Sequence, residues 1–254
     1  MIAVILAGGR GTRLSEETRL IPKPMVPIGG RPILWHIMKR YAMYGVTDFI
    51  IALGYKGEVI KDYFFHYRHF GSDMDIDLQA GRVHFSGEGV ENWRVRLVDT
   101  GEDTMTGGRL GRLRGMLTDT FFLTYGDGLA DIDIRALAEF HSSTGTAATV
   151  TAVSPPPRFG ALSLEGDRVS NFNEKIHATE NRINGGFFVL EPEVLELVSG
   201  DDCVLEAEPL SQLAKAGQLA AFRHDGFWQP MDTLRERDEL EKLWSVGNPP
   251  WLAS

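Results

Sequence analysis

Cysteine is almost absent from this sequence, since Cys203 is the only one among 254 residues. An internal disulfide is therefore excluded, and such sparing use of cysteine is typical of proteins in a reducing cytoplasm. The first residues, MIAVILAGG, carry no cationic leader, and their apolar run is too short for a secretory signal. We therefore expect a cytoplasmic protein. No apolar stretch approaches the ~18 residues of a membrane-spanning helix.

Positive charge is also scarce. Lys and Arg number 26 against 35 Asp and Glu, which gives a formal net charge of -9 at pH 7. Nucleic acids and anionic membranes bind basic surfaces, so we expect neither as a partner. Any anionic ligand must be held by a local cluster of cations and backbone amides. With 43% hydrophobic residues, the chain can bury the core of one large domain.

Short β-branched runs alternate with amphipathic helical segments along most of the chain. IAVIL and FFLTYGDG predict buried strands, whereas PILWHIMKRYAMYG and EVIKDYFFHY predict helices. This alternation predicts an α/β fold, a Rossmann-like and mostly parallel sheet with helices on both faces. We interpret residues 1–254 as a single domain with a β-rich insert near 72–98 and hairpins near 155–190. TLRERDELEKLW predicts a charged helix that begins at Asp232.

A glycine-rich loop follows the first predicted strand, in LAGGRGTRL from Leu6, and PKPM comes shortly after it. Glycines let backbone amides approach phosphate oxygens, and the flanking prolines hold Lys23 in a fixed position. A P-loop requires Gly-Lys-Ser/Thr, and the dinucleotide fingerprint requires glycine where Leu14 stands. A tight strand-to-helix turn is the alternative, but it leaves Arg13 and Lys23 unexplained. The pattern therefore favours phosphate binding.

Two aspartates stand near predicted strand ends. Asp127 lies between two glycines in YGDG, and Asp232 follows the short apolar stretch FWQPM. Mg²⁺ prefers one or two carboxylates completed by phosphate and water oxygens, so this pair suits a magnesium site on a phosphate ligand. The alternatives are an Asx-turn at Asp127 and a helix N-cap at Asp232. We interpret Asp131 and Asp133 as caps.

LAGGRGTRL followed by PKPM resembles the signature of the sugar-phosphate nucleotidyltransferases, and the resemblance continues through FWQPMDTL to PPW. It implies that the loop wraps a nucleoside triphosphate and that Asp127 and Asp232 share one Mg²⁺. Four residues are then expected to act in catalysis: Arg13, Lys23, Asp127 and Lys175. The residues that the resemblance assigns to the nucleotide are Leu6, Ala7, Gly8, Gly9, Arg10, Gly11, Thr12, Arg13, Lys23, Thr104, Gly108, Arg109 and Asp127.

The segment VDTGEDTMTGGRL resembles the base-reading loop of this family in the form found in its cytidylyltransferases. The resemblance implies CTP as the nucleotide. Cytosine presents O2 and N3 as acceptors and arginine only donates, so Arg109 directed at that edge would favour cytosine. Uracil or thymine would place an N3–H against a donor, which is a costly mismatch. The alternative is that Arg109 is a solvated helix charge, like Arg112 and Arg114.

RFGALSL, NFNEKI and INGGFFVL resemble the acceptor-binding segments of the family. The resemblance implies that Glu174 accepts hydrogen bonds from sugar hydroxyls and that Lys175 pairs with the sugar's phosphate. Gly160 and Gly185 are expected beside the sugar. Ile176 stands where the family usually has a proline, so the match is weaker for the sugar than for the base.

These resemblances imply transfer of CMP from CTP to a hexose 1-phosphate, taken as α-D-glucose 1-phosphate, with release of pyrophosphate. A sugar phosphate dianion is already a competent nucleophile, so catalysis reduces to positioning and charge stabilisation. Members of the family commonly form oligomers, so we expect a homo-oligomer. Two alternatives stay open: a nucleotidyltransferase for another sugar phosphate or nucleotide, and a non-catalytic nucleotide-binding module.

Overall fold

A seven-stranded sheet forms the centre of the protein in this computed structural model. The structure describes residues 1–11, 20–86, 90–155, 161–165, 167–173 and 182–253. Within these residues the strands are β1 (Ala3–Ala7), β2 (Pro27–Ile28), β3 (Arg31–Pro32), β4 (Asp48–Leu53), β5 (Asp73–Asp77), β6 (Arg82–Ser86), β7 (Arg94–Asp99), β8 (Phe121–Tyr125), β9 (Gly128–Ala130), β10 (Ala148–Val153), β11 (Ala161–Glu165), β12 (Arg168–Asn173), β13 (Ile183–Leu190), β14 (Leu219–His224) and β15 (Trp228–Pro230).

The order of strands in the central sheet is β14-β10-β13-β8-β1-β4-β7. β1 pairs in parallel with β4 and β8, and β7 and β14 extend the sheet in parallel at its two edges. Only β13 runs antiparallel to its neighbours within this part of the chain. The predicted mostly parallel sheet is therefore confirmed, with one reversed strand.

Helices cover both faces of the sheet. Successive side chains of a strand point to opposite faces, and apolar residues on both of them are buried beneath helices. Ala3, Ile5 and Ala7 belong to one buried cluster, and Val4 and Leu6 belong to the other. The helices of the described residues are α1 (Ile33–Met43), α2 (Gly57–Phe65), α3 (Tyr67–Gly71), α4 (Thr106–Arg112), α5 (Ile134–Thr144), α6 (Glu208–Lys215) and α7 (Leu234–Ser245). The first cluster includes residues of α1, α5 and α7, and the second includes residues of α4 and α6.

The ends of two helices test the interpretation of the aspartates. Asp133 caps α5 as predicted, because its Oδ1 accepts from the backbone N–H of Ala136 at 2.8 Å. Asp131 does not cap this helix and lies beside His224, with 2.9 Å between its Oδ1 and the imidazole Nε2. The last helix, α7, begins at Leu234 rather than at Asp232.

The late start of α7 follows from a capping box. Thr233 is its N-cap, and the Thr233 hydroxyl oxygen accepts from the backbone N–H of Glu236 at 3.3 Å. The Glu236 carboxylate accepts in return from the backbone N–H of Thr233 at 2.9 Å. Asp232 is therefore not the N-cap, and its carboxylate contacts Lys23 instead.

The segments predicted as small β-rich additions divide between separate hairpins and the central sheet. β5 and β6 form an exposed two-stranded hairpin, whereas Arg94–Asp99, placed in the same insert by the sequence, is the edge strand β7. β11 and β12 pair as a hairpin, while β13 joins the central sheet. No helix among the described residues is both long enough and apolar enough to cross a bilayer.

Candidate active site

Three loops meet at the carboxyl edge of the parallel strands, where open α/β sheets bind their ligands. They follow β1, β4 and β8, which are adjacent in the sheet. The backbone N–H of Tyr55, after β4, donates to the Gly8 carbonyl at 3.2 Å, and that of Gly126, after β8, donates to the Leu6 carbonyl at 3.0 Å. These hydrogen bonds fix the start of the glycine-rich loop against its neighbours.

A pocket of about 590 Å³, here called the glycine-loop pocket, opens at this edge. An adjacent pocket of about 530 Å³, here called the Trp228 pocket, includes Gly185 and shares Tyr125, Asn184 and the two aspartates with the first. The predicted residues that line the glycine-loop pocket are Leu6, Ala7, Gly8, Gly9, Gly11, Lys23, Thr104, Arg109, Asp127 and Asp232.

Lys23 bridges the two predicted metal ligands. Its Nζ lies 2.8 Å from Oδ2 of Asp127 and 2.6 Å from Oδ1 of Asp232, and its side chain is only 10% exposed. Burial disfavours the ammonium, but the two carboxylates outweigh that penalty and leave the pKa of Lys23 above its ordinary value. A short 3-10 turn, Lys23–Met25, presents this lysine from between two prolines.

Strand pairing brings the two aspartates together from distant parts of the sequence. β9 and β15 run antiparallel, with Gly128 opposite Pro230, and the backbone N–H of Met231 donates to the Asp127 carbonyl at 2.8 Å. The two carboxylates therefore stand within reach of one cation, and their hard oxygens suit Mg²⁺ completed by phosphate oxygens. No group of three or more His, Cys, Asp or Glu suited to a metal occurs in the described ranges.

Arg109 is buried, with a relative exposure of 4%, so it is not a solvated helix charge. Its guanidinium differs from the predicted orientation toward a ligand, because its terminal nitrogens donate to protein oxygens within 3.1 Å. The acceptors are the carbonyls of Gly8, Leu53, Gly101 and Glu102 and the hydroxyl of Thr100. Burial lowers the pKa of the Arg109 guanidinium.

Two glycines make room for this guanidinium. A Cβ atom on Gly8 would lie 2.2 Å from Cζ of Arg109, and one on Gly54 would lie 2.4 Å from its Nη1. Because Arg109 also lines the glycine-loop pocket, it joins the loops after β1, β4 and β7 at the pocket wall. Arg109 thus acts as a clamp that holds these loops together at the pocket wall. Recognition of the nucleotide base by Arg109 stays a prediction.

Two other predicted residues lie elsewhere than expected. The guanidinium of Arg10 pairs with Asp103 at 2.8 Å and Glu102 at 3.0 Å, and Arg10 is not among the residues that line the pocket. Gly108 packs against the backbone of Asp201, where a Cβ would lie 2.3 Å from the carbonyl oxygen. Its small size serves the close approach of α4 to that loop.

Several predicted residues lie outside the described residues: Thr12, Arg13, Gly160, Glu174 and Lys175. Their proposed roles therefore rest on the sequence alone. Ile176, the departure from the usual Glu-Lys-Pro pattern, lies outside them as well.

The comparison with family models decides the class of this site. The model described as nucleotidyl transferase matches residues 2–229, which include the glycine-rich loop, Lys23 and Asp127. The chain belongs to the nucleotidyl transferase family. It is an enzyme that transfers a nucleotidyl group, and the non-catalytic alternative is set aside.

Individual relatives of this nucleotidyltransferase include proteins with a named substrate and nucleotide. Glucose-1-phosphate cytidylyltransferase of Salmonella typhi is 54% identical over 253 residues, covering 99% of this chain and 98% of that protein. The probable glucose-1-phosphate cytidylyltransferase of Bacillus subtilis is 47% identical over 99% of both chains. Among solved structures, HddC from Yersinia pseudotuberculosis matches with a TM-score of 0.71 and 26% identity, covering 96% of this chain and 99% of that one.

Sequence analysis of the nucleotidyltransferase missed four polar side chains on the wall of the glycine-loop pocket. They are Thr106, Tyr125, Asn184 and Glu206. Tyr125 could have been found because it stands two residues before Asp127 at the same strand end. Glu206 gave no signal, since it occurs in the unremarkable acidic stretch DDCVLEAEPL. Burial, aided by the neighbouring Glu206, raises the pKa of the Tyr125 phenol.

Proposed function

We propose that this protein transfers the CMP group of CTP to α-D-glucose 1-phosphate and forms CDP-glucose and pyrophosphate. Identity of 54% over almost the full length to a glucose-1-phosphate cytidylyltransferase supports this activity. The observation that carries the mechanism is the convergence of Lys23, Asp127 and Asp232 at a pocket bordered by the glycine-rich loop.

In the proposed reaction, a phosphate oxygen of the hexose 1-phosphate attacks the α-phosphorus of CTP in line, and pyrophosphate leaves. The attacking oxygen is already anionic, so no general base is required. Backbone N–H groups from Gly8 to Gly11, together with Lys23, would hold the departing pyrophosphate. Arg13 is proposed to assist them and Lys175 to align the acceptor phosphate, both from the sequence pattern alone.

The family uses a divalent metal in general, and we propose Mg²⁺ in this chain. Asp127 and Asp232 would hold it, because their carboxylates already converge on one cation and offer the hard oxygen ligands that Mg²⁺ prefers. When bound, the ion supplies charge neutralisation to the phosphates. Lys23 then has two tasks, to pair with these carboxylates before the substrate binds and to contact the phosphates afterwards.

The adjacent Trp228 pocket is the proposed site of the sugar phosphate. It shares Asp127 and Asp232 with the glycine-loop pocket, so a ligand in each would meet at the two carboxylates. Gly185 lies there with its carbonyl oxygen fixed by the Trp228 indole N–H at 2.7 Å. Glu174 and Gly160 are proposed to complete the site from the sequence pattern.

The test is to incubate the protein with each of the four NTPs against a panel of sugar 1-phosphates, with pyrophosphate release as the readout. We expect the highest kcat/KM for CTP with α-D-glucose 1-phosphate. A higher value for another nucleotide or sugar phosphate would replace the substrates named here within the same reaction class. A cytoplasmic location is also proposed, because the cytoplasm supplies CTP and the sequence has a single, buried cysteine.

A further inference from the structure

Four polar side chains on the wall of the glycine-loop pocket form one connected set of hydrogen bonds that no proposed role uses. Tyr125 ends β8, Thr106 begins α4, Asn184 lies in β13, and Glu206 precedes α6. All four line the pocket. Separate segments of the fold thus place their polar groups at one position.

The hydrogen bonds of this set lead to the carboxylate of Glu206. The amide Nδ2 of Asn184 donates to the Tyr125 hydroxyl at 3.1 Å, and that hydroxyl donates to Oε1 of Glu206. The backbone N–H of Leu205 donates to Oγ1 of Thr106 at 3.0 Å, and Thr106 donates to Oε2 of Glu206 at 2.6 Å. Each hydroxyl receives one hydrogen bond and passes one on, so the set is polarised toward the carboxylate.

A carboxylate held in this way is a prepared acceptor. It offers about four lone-pair positions, and Tyr125 and Thr106 take two of them. Glu206 is half-buried and faces the pocket, so the remaining positions suit a ligand group that donates a hydrogen bond. A phosphate is disfavoured there because its negative charge repels the carboxylate, whereas a neutral hydroxyl is a good partner.

The position of the set indicates which part of the substrates it meets. Tyr125 and Asn184 border both pockets, and Tyr125 stands two residues from Asp127. Groups close to this point are those within a few bonds of the reacting phosphates, namely the ribose on one side and the hexose on the other. The base lies at the far end of the nucleotide.

We propose that the Glu206 carboxylate accepts a hydrogen bond from a hydroxyl of a bound substrate sugar and is a specificity-determining residue of the reaction. The proposal rests on the proposed function, because that function supplies the two sugars. The place of Glu206 in the glycine-loop pocket favours the ribose, and the hexose is the second source of the same chemistry.

The test compares the wild-type protein with Glu206→Gln on substrates that lack single hydroxyls. The ribose arm uses 2'-deoxy-CTP and 3'-deoxy-CTP, and the hexose arm uses the monodeoxy analogues of glucose 1-phosphate. In the wild type, one deoxy analogue should lose about 10- to 100-fold in kcat/KM relative to its parent. In Glu206→Gln, the kcat/KM of the parent substrate should fall toward that of the deoxy analogue, so that the two values differ by about threefold or less. The arm in which this happens identifies the sugar.

A merely structural role gives a different pattern. Every substrate would then lose the same factor, and the ratio of parent to deoxy analogue would stay at its wild-type value, which overturns the proposal. A changed ratio of CTP to UTP with unchanged deoxy ratios would also overturn it, because the acceptor would then face the base. Glu208→Gln, at an exposed position two residues away, is the matched control and should keep all ratios.

Two further measurements keep the outcome clear. If Glu206→Gln does not fold, Tyr125→Phe removes one of the donors that orient the carboxylate and should reduce the same ratio in part. Calorimetric affinities of CTP, glucose 1-phosphate and their deoxy analogues report the contact without turnover. Absence of pyrophosphate release from the wild type would thus reject the proposed function, while equal affinities for parents and analogues would reject the role of Glu206.

Discussion

The ammonium nitrogen of Lys23 lies 2.6 Å from Oδ1 of Asp232. The same nitrogen contacts Asp127, so a side chain of the protein itself occupies the space between the two carboxylates that a divalent ion would share. The ammonium offsets one of the two negative charges in a mostly buried position, so the site keeps a net charge of about -1. A metal ion arriving alone must compete with this lysine.

Replacement of Lys23 should therefore change the binding of metal in the absence of nucleotide. Lys23→Met leaves two carboxylates with no cation between them, so we expect the affinity for Mn²⁺ alone to rise by about tenfold or more. Titration followed by electron paramagnetic resonance measures this directly. Lys61→Met, at an exposed position in α2, is the control and should behave as the wild type. Unchanged or weaker Mn²⁺ binding in Lys23→Met would contradict the competition.

Asp127→Asn should nearly abolish turnover while the fold is retained. The amide keeps the size of the side chain but removes one of the two anions proposed to hold the metal, and we expect a loss of ~10² to 10³ in kcat. Pyrophosphate release and a thermal melt measure the two effects separately. Asp119→Asn, at an exposed position before β8, should leave both unchanged. Near-normal activity of Asp127→Asn would count against the metal assignment.

Arg109→Gln should affect both stability and choice of base. Loss of the guanidinium removes its hydrogen bonds to the loops of the pocket wall, so the melting temperature should fall. If Arg109 also reads cytosine, the preference for CTP over UTP should fall by about tenfold or more. Arg112→Gln, which removes an exposed pair with Asp201, is the control. A lower melting temperature with intact preference for CTP would restrict Arg109 to its role as a clamp.

His36 should make the protein less stable in mild acid. Burial lowers the pKa of this imidazole from 6.5 to about 4, and Trp251 donates to its Nδ1 at 3.2 Å, which requires the neutral ring. Below pH 6.5 the unfolded chain takes up a proton that the folded protein refuses, so the free energy of unfolding should fall between pH 6.5 and 4. The full loss from this group is about 3 kcal/mol.

Urea unfolding across this pH range tests the role of His36. His36→Gln should be less stable at neutral pH and should show a shallower fall in the free energy of unfolding toward pH 4. His69→Gln, an exposed histidine, should keep the wild-type slope. An unchanged slope in His36→Gln would assign the acid sensitivity to other groups.

The sequence predicted the fold well where one face of an element is buried. The predicted stripe was Ile33, Ile37, Tyr41 and Tyr44: the first three are buried in α1, whereas Tyr44 follows the last residue of the helix and is half-buried. Gly45 comes next, with a φ of +83°. The prediction failed where pairing with a distant strand determines the position of a segment in the fold. Arg94–Asp99 has the charged, alternating pattern of a small lobe, yet it pairs with β4 as the edge strand of the central sheet. Charged side chains are common on edge strands, so the pattern does not distinguish the two cases.

The site was predicted where local chemistry is visible in a motif. Lys23 lies between two prolines, Asp127 lies between two glycines, and Asp232 follows the apolar stretch FWQPM. The structure brings all three together. Long-range partners are different. Nothing near Arg109 in the sequence shows that its acceptors include Gly8, or that Glu206 collects donors from two other segments, because such contacts exist only after the chain has folded.

Trp251 packs edge to face against His36, with 5.7 Å between ring centroids, although 215 residues separate the two in the chain. On the ribosome, α1 emerges long before its partner is translated. Until Trp251 has been synthesised, His36 on α1 lacks this aromatic packing partner. Native packing of the core therefore cannot be completed in the order of synthesis. A chain that ends before this tryptophan would lack a fully buried aromatic side chain, so its core would be incomplete.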